Sequence, residues 1–313
     1  MSIATQQLGF VSSNGNDTVH VLLWEDPSTP PRAVLQIAHG MSEYIDRYAE
    51  FAAYLAQHGF VVCGNDHLGH GATASSSEQL GYISSKDGAT YLVEDIHRLR
   101  TLIQSRYPDL PIFLLGHSMG SFITRAYVAK YGEGLAGYIC SGTAGPNLAI
   151  SISLLLADLE THRIGELGRS KLLDNLAFGS YNKRCPEKRT GFDWLTRDTE
   201  LVDRYVNDPW CGYVFTSAGF RTLFTLVKEV SHTGWAESVP KQLPILMISG
   251  RNDPVGNYTK GPKQVFSWLR KAGVIDLTLK LYDDCRHELL NELNRQEVYE
   301  DILQWLSKRL LAK

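Results

Sequence analysis

Residues 112–120 read Ile-Phe-Leu-Leu-Gly-His-Ser-Met-Gly, and the architecture of the chain can be worked out from this stretch. Its first four residues form a continuous apolar run, which is typical of a strand buried on both faces of a sheet. The pentapeptide Gly116–Gly120 follows at once and leads into a helix-like segment. Two glycines around a serine allow a sharp turn that leaves the hydroxyl of Ser118 exposed above the sheet. The stretch therefore predicts a nucleophilic serine at the end of a buried strand.

Short apolar runs and longer amphipathic runs alternate along the rest of the chain. The strand-like runs are Val19–Trp24, Ala33–Ala38, Phe60–Cys63, Ile112–Leu115, Tyr138–Cys140, Ile245–Ser249 and Leu277–Tyr282. The helix-like runs are Tyr48–Gln57, Tyr91–Arg106, Gly120–Tyr131, Pro262–Lys271 and Gln296–Leu310. This alternation predicts βαβ units, and hence an α/β fold with a mostly parallel, doubly wound sheet.

The alternation stops between residues 147 and 235, where no convincing parallel strand is found. The stretch is rich in leucine, arginine and aromatic residues, and the α/β pattern resumes at Ile245. A chain that leaves a sheet and returns to it most simply carries an insertion. We therefore expect a core of residues 1–146 and 236–313, with residues 147–235 inserted into it.

A serine nucleophile needs a base, and the base needs an acid to orient it. In proteins whose nucleophilic serine lies in this strand–turn–helix motif, the acid and then the histidine follow the serine along the chain. After Ser118 the only histidines are His162, His232 and His287. The first two lie in or at the edge of the insertion, whereas His287 comes just after the last predicted strand. His287 is therefore the predicted base.

The acid is expected at the end of the preceding strand. Residues 244–250 read as that strand, and the turn that follows presents Asp253. Asp283 and Asp284 are rivals, since they lie closer to His287 in the sequence. A strand end is a firmer support than a solvated loop, which favours Asp253.

Acyl transfer also requires two backbone N–H groups that stabilise a developing oxyanion. One comes from the residue after the nucleophile, here Met119, and the other from the loop after an earlier strand. The strand Ala33–Ala38 runs into His39–Glu43, which makes the N–H of Met41 the second candidate. We expect Glu43 to brace this loop or to cap the next helix.

These motifs together resemble those of the α/β-hydrolases of the monoacylglycerol lipase and lysophospholipase group, which is similar to the S33 serine aminopeptidases. The resemblance is carried, in order and spacing, by His39–Glu43 with Arg47 and Tyr48, by Asp66–Gly71, by Gly116–Gly120, by Gly250–Asp253 and by His287. It implies the α/β-hydrolase fold, hydrolysis of acyl esters, and a mainly helical cap, or lid, between the sixth and seventh strands. Residues 147–235 match the position of that cap. Their sequence does not match, residue by residue, the cap of a lipase whose substrate preference is known.

Substrate preference is expected to come from the cap, whose apolar residues are candidates for an acyl channel. We select Leu148, Leu155, Phe178, Trp210 and Phe215, and count as further candidates Leu154, Leu156, Trp194, Tyr213, Phe220 and Phe224. Such a channel favours medium or long acyl chains, as in monoacylglycerols or lysophospholipids. The apolar stretch 148–156 also predicts transient contact of the cap with a membrane or micelle.

Composition excludes several other classes. The 313 residues carry a formal charge of −3, so no basic excess favours a nucleic-acid partner. The five cysteines form no CxxC pair and favour reduced thiols in a cytoplasmic protein. The start of the sequence lacks a signal-peptide pattern, and no apolar run is long enough to span a bilayer. His67 and His70 lack a third ligand at metal-site spacing, so we expect neither a metal nor another cofactor. The sequence does not predict the oligomeric state.

Three alternatives use the same serine chemistry: a short-chain carboxylesterase, an acyl-thioesterase and a serine aminopeptidase. A fourth is a ligand receptor that keeps the fold without turnover. Chemistry with an aspartate nucleophile is disfavoured, because Ser118 occupies the turn.

Overall fold

The computed structural model describes residues 3–147 and 149–311, and within them eight strands form one sheet. The order across the sheet is β1-β2-β4-β3-β5-β6-β7-β8. The strands are β1 Ala4–Val11, β2 Thr18–Glu25, β3 Ala33–Ala38, β4 Phe60–Asn65, β5 Ile112–His117, β6 Gly137–Ser141, β7 Ile245–Gly250 and β8 Leu277–Tyr282. Strands β3 to β8 pair in parallel, whereas β1 and β2 pair antiparallel at one edge. The mostly parallel sheet that the sequence predicts is thus confirmed.

Ten α-helices accompany the sheet in the described ranges. They are α1 Ala49–Gln57, α2 Gly88–Arg106, α3 Met119–Tyr131, α4 Ile150–Ile164, α5 Lys171–Phe178, α6 Thr199–Asn207, α7 Ser217–Val230, α8 Thr233–Glu237, α9 Lys260–Lys271 and α10 Arg295–Leu310. None of them, in the part of the chain that is described, is long and apolar enough to cross a bilayer.

Helices cover both faces of the sheet, so the sheet is doubly wound. One face packs against α2, α3 and α9, together with α7. The other face packs against α1 and α10. Strands such as β3, β4 and β5 are buried along their whole length, which explains their continuous apolar sequences.

The sequence reasoning missed β1. Its residues alternate between exposed and half-buried, because the strand lies at the edge of the sheet and pairs only with β2. Its sequence, Ala-Thr-Gln-Gln-Leu-Gly-Phe-Val, has no continuous apolar run.

Helices α4 to α8 lie between β6 and β7, where the α/β alternation of the sequence stops. Within the described residues of this segment, only an isolated bridge between Arg169 and Thr216 has β geometry. Helix α7 packs against α2 and α3, and α4 packs on α7. The division of the chain into a core and a cap stays a prediction.

A buried arginine on α3 binds both ends of this segment. The Arg125 guanidinium donates to the Ala144 carbonyl at 3.0 Å and the Thr143 hydroxyl at 3.3 Å, just after β6. It also donates to the carbonyl of Val230, the last residue of α7. The ring of Trp235 lies 4.3 Å from the guanidinium carbon, and its N–H donates to the Arg125 carbonyl. Its acceptors among the described residues are all uncharged, so neutral groups hold this cation in place.

The topology brings several loops to one edge of the sheet. Strands β3, β5, β7 and β8 are parallel, so their carboxyl ends point the same way. The loops that follow them begin near Gly40, Ser118, Asp253 and His287. In open α/β sheets this edge is where ligands bind.

Candidate active site

Ser118 sits in a strained turn between β5 and α3. Its φ of 53° and ψ of −119° lie outside the regions that a serine usually adopts. A Cβ added at Gly120 would strike the backbone carbonyls of Ala38 and His39, so only glycine fits there. The Ser118 N–H donates to the Ser141 carbonyl at 3.0 Å, which ties the turn to β6. The turn thus holds a partly exposed hydroxyl over the edge of the sheet.

His287 and Asp253 form a buried pair beside this turn. Nδ1 of His287 lies 3.0 Å from Oδ2 of Asp253, and the side chains are 2% and 0% exposed. The distance suits a hydrogen bond, but the ring N–H does not point well at the oxygen. Such bonds often tighten only when substrate is bound. The other Asp253 oxygen, Oδ1, accepts from the Val255 N–H at 2.8 Å.

The surroundings of His287 favour its charged form. Burial alone lowers the pKa of His287, but the adjacent Asp253 carboxylate outweighs burial and the net pKa is raised. Among the described residues, Nε2 of His287 has no hydrogen-bond partner. It therefore remains free to exchange a proton with a group in the cavity.

Close packing fixes the orientation of the His287 ring. The rings of His117 and Trp194 lie with their centroids 4.7 Å and 5.1 Å from that of His287. Gly142 lies after β6 with a positive φ of 60°, and a Cβ there would come 2.9 Å from Cε1 of His287. Burial and the neighbouring His287 lower the pKa of His117 to about 3, so His117 is a neutral packing partner.

The loop that carries His287 is bound to residues 193–197, which lie between β6 and β7. The Glu288 N–H donates to the Leu195 carbonyl at 2.7 Å. The Arg286 guanidinium donates to the carbonyls of Asp193 at 2.6 Å and Thr196 at 3.0 Å. The segment that follows β6 thus helps to position the predicted base.

Glu43 braces the loop after β3, as the sequence predicts. Its carboxylate accepts from the Gly40 N–H at 2.5 Å, from Arg47 at 2.5 Å and from the Tyr48 hydroxyl at 2.9 Å. Burial raises the pKa of Glu43, and the Arg47 guanidinium opposes that effect.

Arg47 also forms a two-pronged ion pair with Glu288, with N–O distances of 2.8 Å and 2.7 Å. Burial opposes ionisation of Glu288, but Arg47 outweighs it and lowers the pKa of Glu288 to about 2. This buried network joins the loop after β3 to the loop of His287. The sequence reasoning missed Glu288; its position next to His287 was the available signal.

Met41 and Met119 both line the cavity beside Ser118. Met119 is the first residue of α3, and the N–H groups of a first helical turn have no acceptor inside the helix. Met41 follows Gly40, whose N–H is fixed by Glu43. Both predicted oxyanion donors therefore lie at the same site as Ser118 and His287.

Three buried histidines, His39, His67 and His70, pack against one another at the loop that follows β3. The Nε2 atom of His39 accepts from the His67 N–H at 3.0 Å, and the two rings lie 4.1 Å apart. Nδ1 of His70 lies 2.9 Å from the Leu68 carbonyl. Burial lowers the pKa of all three, to about 4 for His70. Within residues 3–147 and 149–311 no group of His, Cys, Asp and Glu side chains is arranged to hold a metal ion.

A cavity of about 560 Å³ opens above Ser118. Most of its wall is apolar and comes from α3, α4, α5 and α7, through Phe122, Ile150, Phe178, Leu223, Phe224 and Val227. Ser118, His287, Met41 and Met119 line the same cavity. The size falls within the range of small-molecule sites.

Of the five selected acyl-channel residues, only Phe178 lines this cavity. Leu155 is 59% exposed, because it lies on the face of α4 opposite to Ile150 and Ser153, which line the cavity. Trp210 is 42% exposed and packs edge-on against Tyr44. Phe215 is completely buried against Phe220 and His70, so it belongs to the packing beneath the site. The prediction is corrected at these three positions, and Leu148 lies outside the described residues.

Ile150, Phe122 and Val227, which the sequence reasoning did not select, do line the cavity. Trp194, Tyr213 and Phe224, named as further candidates, line it too. Helical spacing from Phe224 to Val227 was the available signal, but spacing alone does not tell a cavity wall from a packed core.

Comparison with known proteins agrees with this geometry. The profile of the family described as serine aminopeptidase, S33, matches residues 29–294. The chain belongs to this family. It is 30% identical to the monoacylglycerol lipase of Mycolicibacterium smegmatis, over 91% of each chain. It is 27% identical to the human monoglyceride lipase, over 98% of this chain and 93% of that one.

A solved structure supports the same assignment. The thermostable carboxyl esterase from Bacillus coagulans is 35% identical, with a TM-score of 0.91 over 99% of this chain and all of that one. The α/β-hydrolase fold and the resemblance to the monoacylglycerol lipase group are confirmed. Within this family the chain is a carboxylic ester hydrolase.

Proposed function

We propose that the chain hydrolyses esters of medium or long acyl chains through an acyl-enzyme, with Ser118 as nucleophile, His287 as base and Asp253 as the orienting acid. The buried His287–Asp253 pair, 3.0 Å apart beside the strained serine turn, is the observation that carries this proposal. Among the aspartates considered, Asp253 is buried in contact with His287, whereas Asp283 is 82% exposed and pairs with Arg251.

In the proposed mechanism, Nε2 of His287 takes the proton of the Ser118 hydroxyl as its oxygen attacks the ester carbonyl carbon. The N–H groups of Met41 and Met119 stabilise the oxyanion, and Asp253 stabilises the imidazolium that forms. The C–O bond to the alcohol then breaks, and the alcohol leaves with the proton from His287. Water, deprotonated by His287, attacks the acyl-enzyme and releases the acid and Ser118.

The apolar wall of the cavity supports an acyl chain as the bound group. Phe122, Ile150, Phe178, Phe224 and Val227 come from four helices and offer hydrophobic contact to a flexible chain. Relatives with the names monoacylglycerol lipase and monoglyceride lipase make monoacylglycerols the first natural esters to test.

We also propose that residues 147–235 form a cap that touches lipid surfaces. Helices α4 and α5 carry a row of exposed large apolar side chains, here called the apolar cap face: Ile152, Leu155, Leu159, Leu172 and Leu176. Spacings of three and four residues place them on one side of each helix. Contact with a micelle or membrane would cover this face while the substrate enters. The unpaired cysteines favour a cytoplasmic location.

A fluorophosphonate probe tests the nucleophile directly. We expect it to label the protein and the control variant Ser75→Ala, whose serine is exposed and distant in sequence from the turn. Labelling should disappear in Ser118→Ala. Undiminished labelling and ester hydrolysis in Ser118→Ala would exclude the proposed mechanism.

A series of 4-nitrophenyl esters from acetate to palmitate tests the substrate class. We expect kcat/KM to peak at a medium or long chain. A steady fall beyond acetate would instead indicate a short-chain esterase, and a requirement for a free N-terminal amine would indicate an aminopeptidase.

A further inference from the structure

Asp174 places a carboxylate in the wall of the substrate cavity. It lies on α5, and helical spacing puts it on the same face as Ala177 and Phe178. All three residues line the cavity that also contains Ser118 and His287. Asp174 is half-buried, and its own N–H belongs to the helix, where it donates to the Ser170 carbonyl.

The cavity that Asp174 lines is mostly apolar. Ile150 of α4 and Phe224 and Val227 of α7 line the same cavity, and Phe178 lies one turn along α5. Among residues 3–147 and 149–311, no side chain or N–H group bonds to the carboxylate and no cation pairs with it. Burial raises the pKa of Asp174, and no neighbouring charge contributes. A carboxylate that is partly removed from water without a partner costs stability.

Support of the helix does not explain this position. The Ser170 hydroxyl already caps α5 by accepting from the Leu173 N–H. A carboxylate in the first turn stabilises a helix from any side, including the side that faces solvent. The orientation of Asp174 toward the cavity is a separate feature, which points to an effect on what enters.

The other charges of the cavity do not offset Asp174. No lysine or arginine is among its lining residues in the described ranges. Glu43 and Glu288 also line it, and both are paired with the single Arg47 behind the wall. His287 lines it too, but a positive charge on His287 is offset by the buried Asp253 carboxylate 3.0 Å away. The fixed charge that faces a bound ester is therefore negative.

We propose that Asp174 selects substrates by charge, admitting esters whose acyl chain is neutral or carries a cation and rejecting esters whose acyl chain carries an anionic group. This inference rests on the proposed ester hydrolysis at Ser118. It identifies Asp174 as a specificity-determining residue that faces the bound substrate. A carboxylate or phosphate on the substrate would meet like charge in a mostly apolar cavity, whereas an ammonium group would find a partner.

Matched esters of one chain length test this proposal. We would measure kcat/KM for three 4-nitrophenyl esters with an eight-carbon acyl chain: the monoester of suberate, with a free carboxylate; its neutral methyl ester; and the ω-trimethylammonio ester. In the wild type we expect the anionic ester to be about tenfold worse than the neutral one, and the cationic ester to be the best. The difference should lie mainly in KM, because the charge is remote from the reacting carbonyl.

Asp174→Asn removes the charge and keeps the shape. We expect it to bring the three kcat/KM values to within about threefold of one another, by raising the value for the anionic ester and lowering that for the cationic ester. Asp158→Asn is the matched control, because Asp158 lies on α4, is half-exposed, pairs with Arg221 and does not line the cavity. This control should retain the wild-type order.

The outcomes separate the two proposals. Repeating the comparison with shorter and longer chains shows at which position the charge matters most. If the wild type hydrolyses the neutral esters but shows no preference by charge at any length, or if Asp174→Asn keeps the preference, Asp174 has no such role. Failure of the wild type to hydrolyse any of these esters would instead overturn the proposed function, and the charge selection with it.

Discussion

The edge of the sheet and the segment 147–235 face each other across one cavity, but they are built differently. At the edge, buried charges are paired: Asp253 with His287, and Glu43 and Glu288 with Arg47. The segment instead exposes the apolar cap face and leaves the Asp174 carboxylate without a partner in the described residues. The reacting groups are thus held rigidly, whereas the opposite wall has features that only a ligand or a surface would satisfy.

Removing the orienting acid should have the largest effect on the rigid side. In Asp253→Asn we expect kcat to fall by about 10⁴, because an amide cannot stabilise the imidazolium of His287. The fold should persist, since the amide oxygen can still accept from the Val255 N–H. Steady-state kinetics with a 4-nitrophenyl ester measure the loss.

Asp283→Asn is the control for this experiment. Asp283 is highly exposed and pairs with Arg251, so we expect activity within about twofold of the wild type. A larger loss in Asp283→Asn than in Asp253→Asn would transfer the acid role to the loop after β8.

In the segment 147–235, buried and exposed apolar residues should behave differently. Phe220 on α7 is completely buried against Phe215 and Phe224. In Phe220→Ala we expect the free energy of unfolding to fall by about 3–5 kcal/mol, through lost burial and a cavity. Leu159→Ala, on the apolar cap face, should change it by less than about 0.5 kcal/mol. Equal losses in urea unfolding would mean that Leu159 is covered in solution.

Acid should weaken the packing beneath the edge of the sheet. Burial depresses the pKa of His70 to about 4 and that of His117 to about 3, below the ordinary value in the unfolded chain. Above about pH 6.5 these histidines are neutral in both states, and the folded state keeps its full stability. Below that pH the unfolded chain takes up protons that the folded state does not, so the free energy of unfolding falls. Each histidine should cost roughly 1 kcal/mol per pH unit until its folded pKa is reached.

His39 and His67 act in the same direction, whereas the raised pKa of His287 opposes them. Urea unfolding at a series of pH values between about 7.5 and 5.5 measures the net slope. A free energy of unfolding that rises on acidification would contradict the expected net effect of these four lowered pKa values.

The smallest effect is expected from the apolar cap face itself. Leu155→Ser should leave hydrolysis of a dissolved ester unchanged, because the side chain points away from the cavity. Binding to phospholipid vesicles should weaken about three- to tenfold, since less apolar surface is available for burial. Unchanged sedimentation with vesicles would argue against contact through this face.

Local sequence was sufficient where the backbone itself sets the geometry. The turn at Ser118 follows from glycines at 116 and 120, and the positions of Asp253 and His287 follow from strand ends. Glu288 was missed because its importance comes from Arg47, which is distant in the sequence. Pairing across such distances depends on tertiary packing, which a single sequence does not display.

The wall of the cavity was harder to predict for the same reason. Leu155 and Phe178 are both apolar residues of helices between β6 and β7, yet one faces solvent and the other faces the cavity. Which face of a helix turns inward is decided by its neighbours, here α5 and α7 for α4. The hydrophobicity of α4 indicates that part of the helix is buried, but it does not indicate which neighbouring element covers it.

The position of Arg125 restricts how the segment between β6 and β7 can move. One guanidinium, on the helix that begins beside Ser118, binds the carbonyls of Ala144 and Val230 near the two ends of the segment. While these bonds hold, the ends remain at fixed distances from each other and from the helix. Any opening movement must then take place between these two fixed ends. Such a movement leaves α3 and the turn at Ser118 undisturbed.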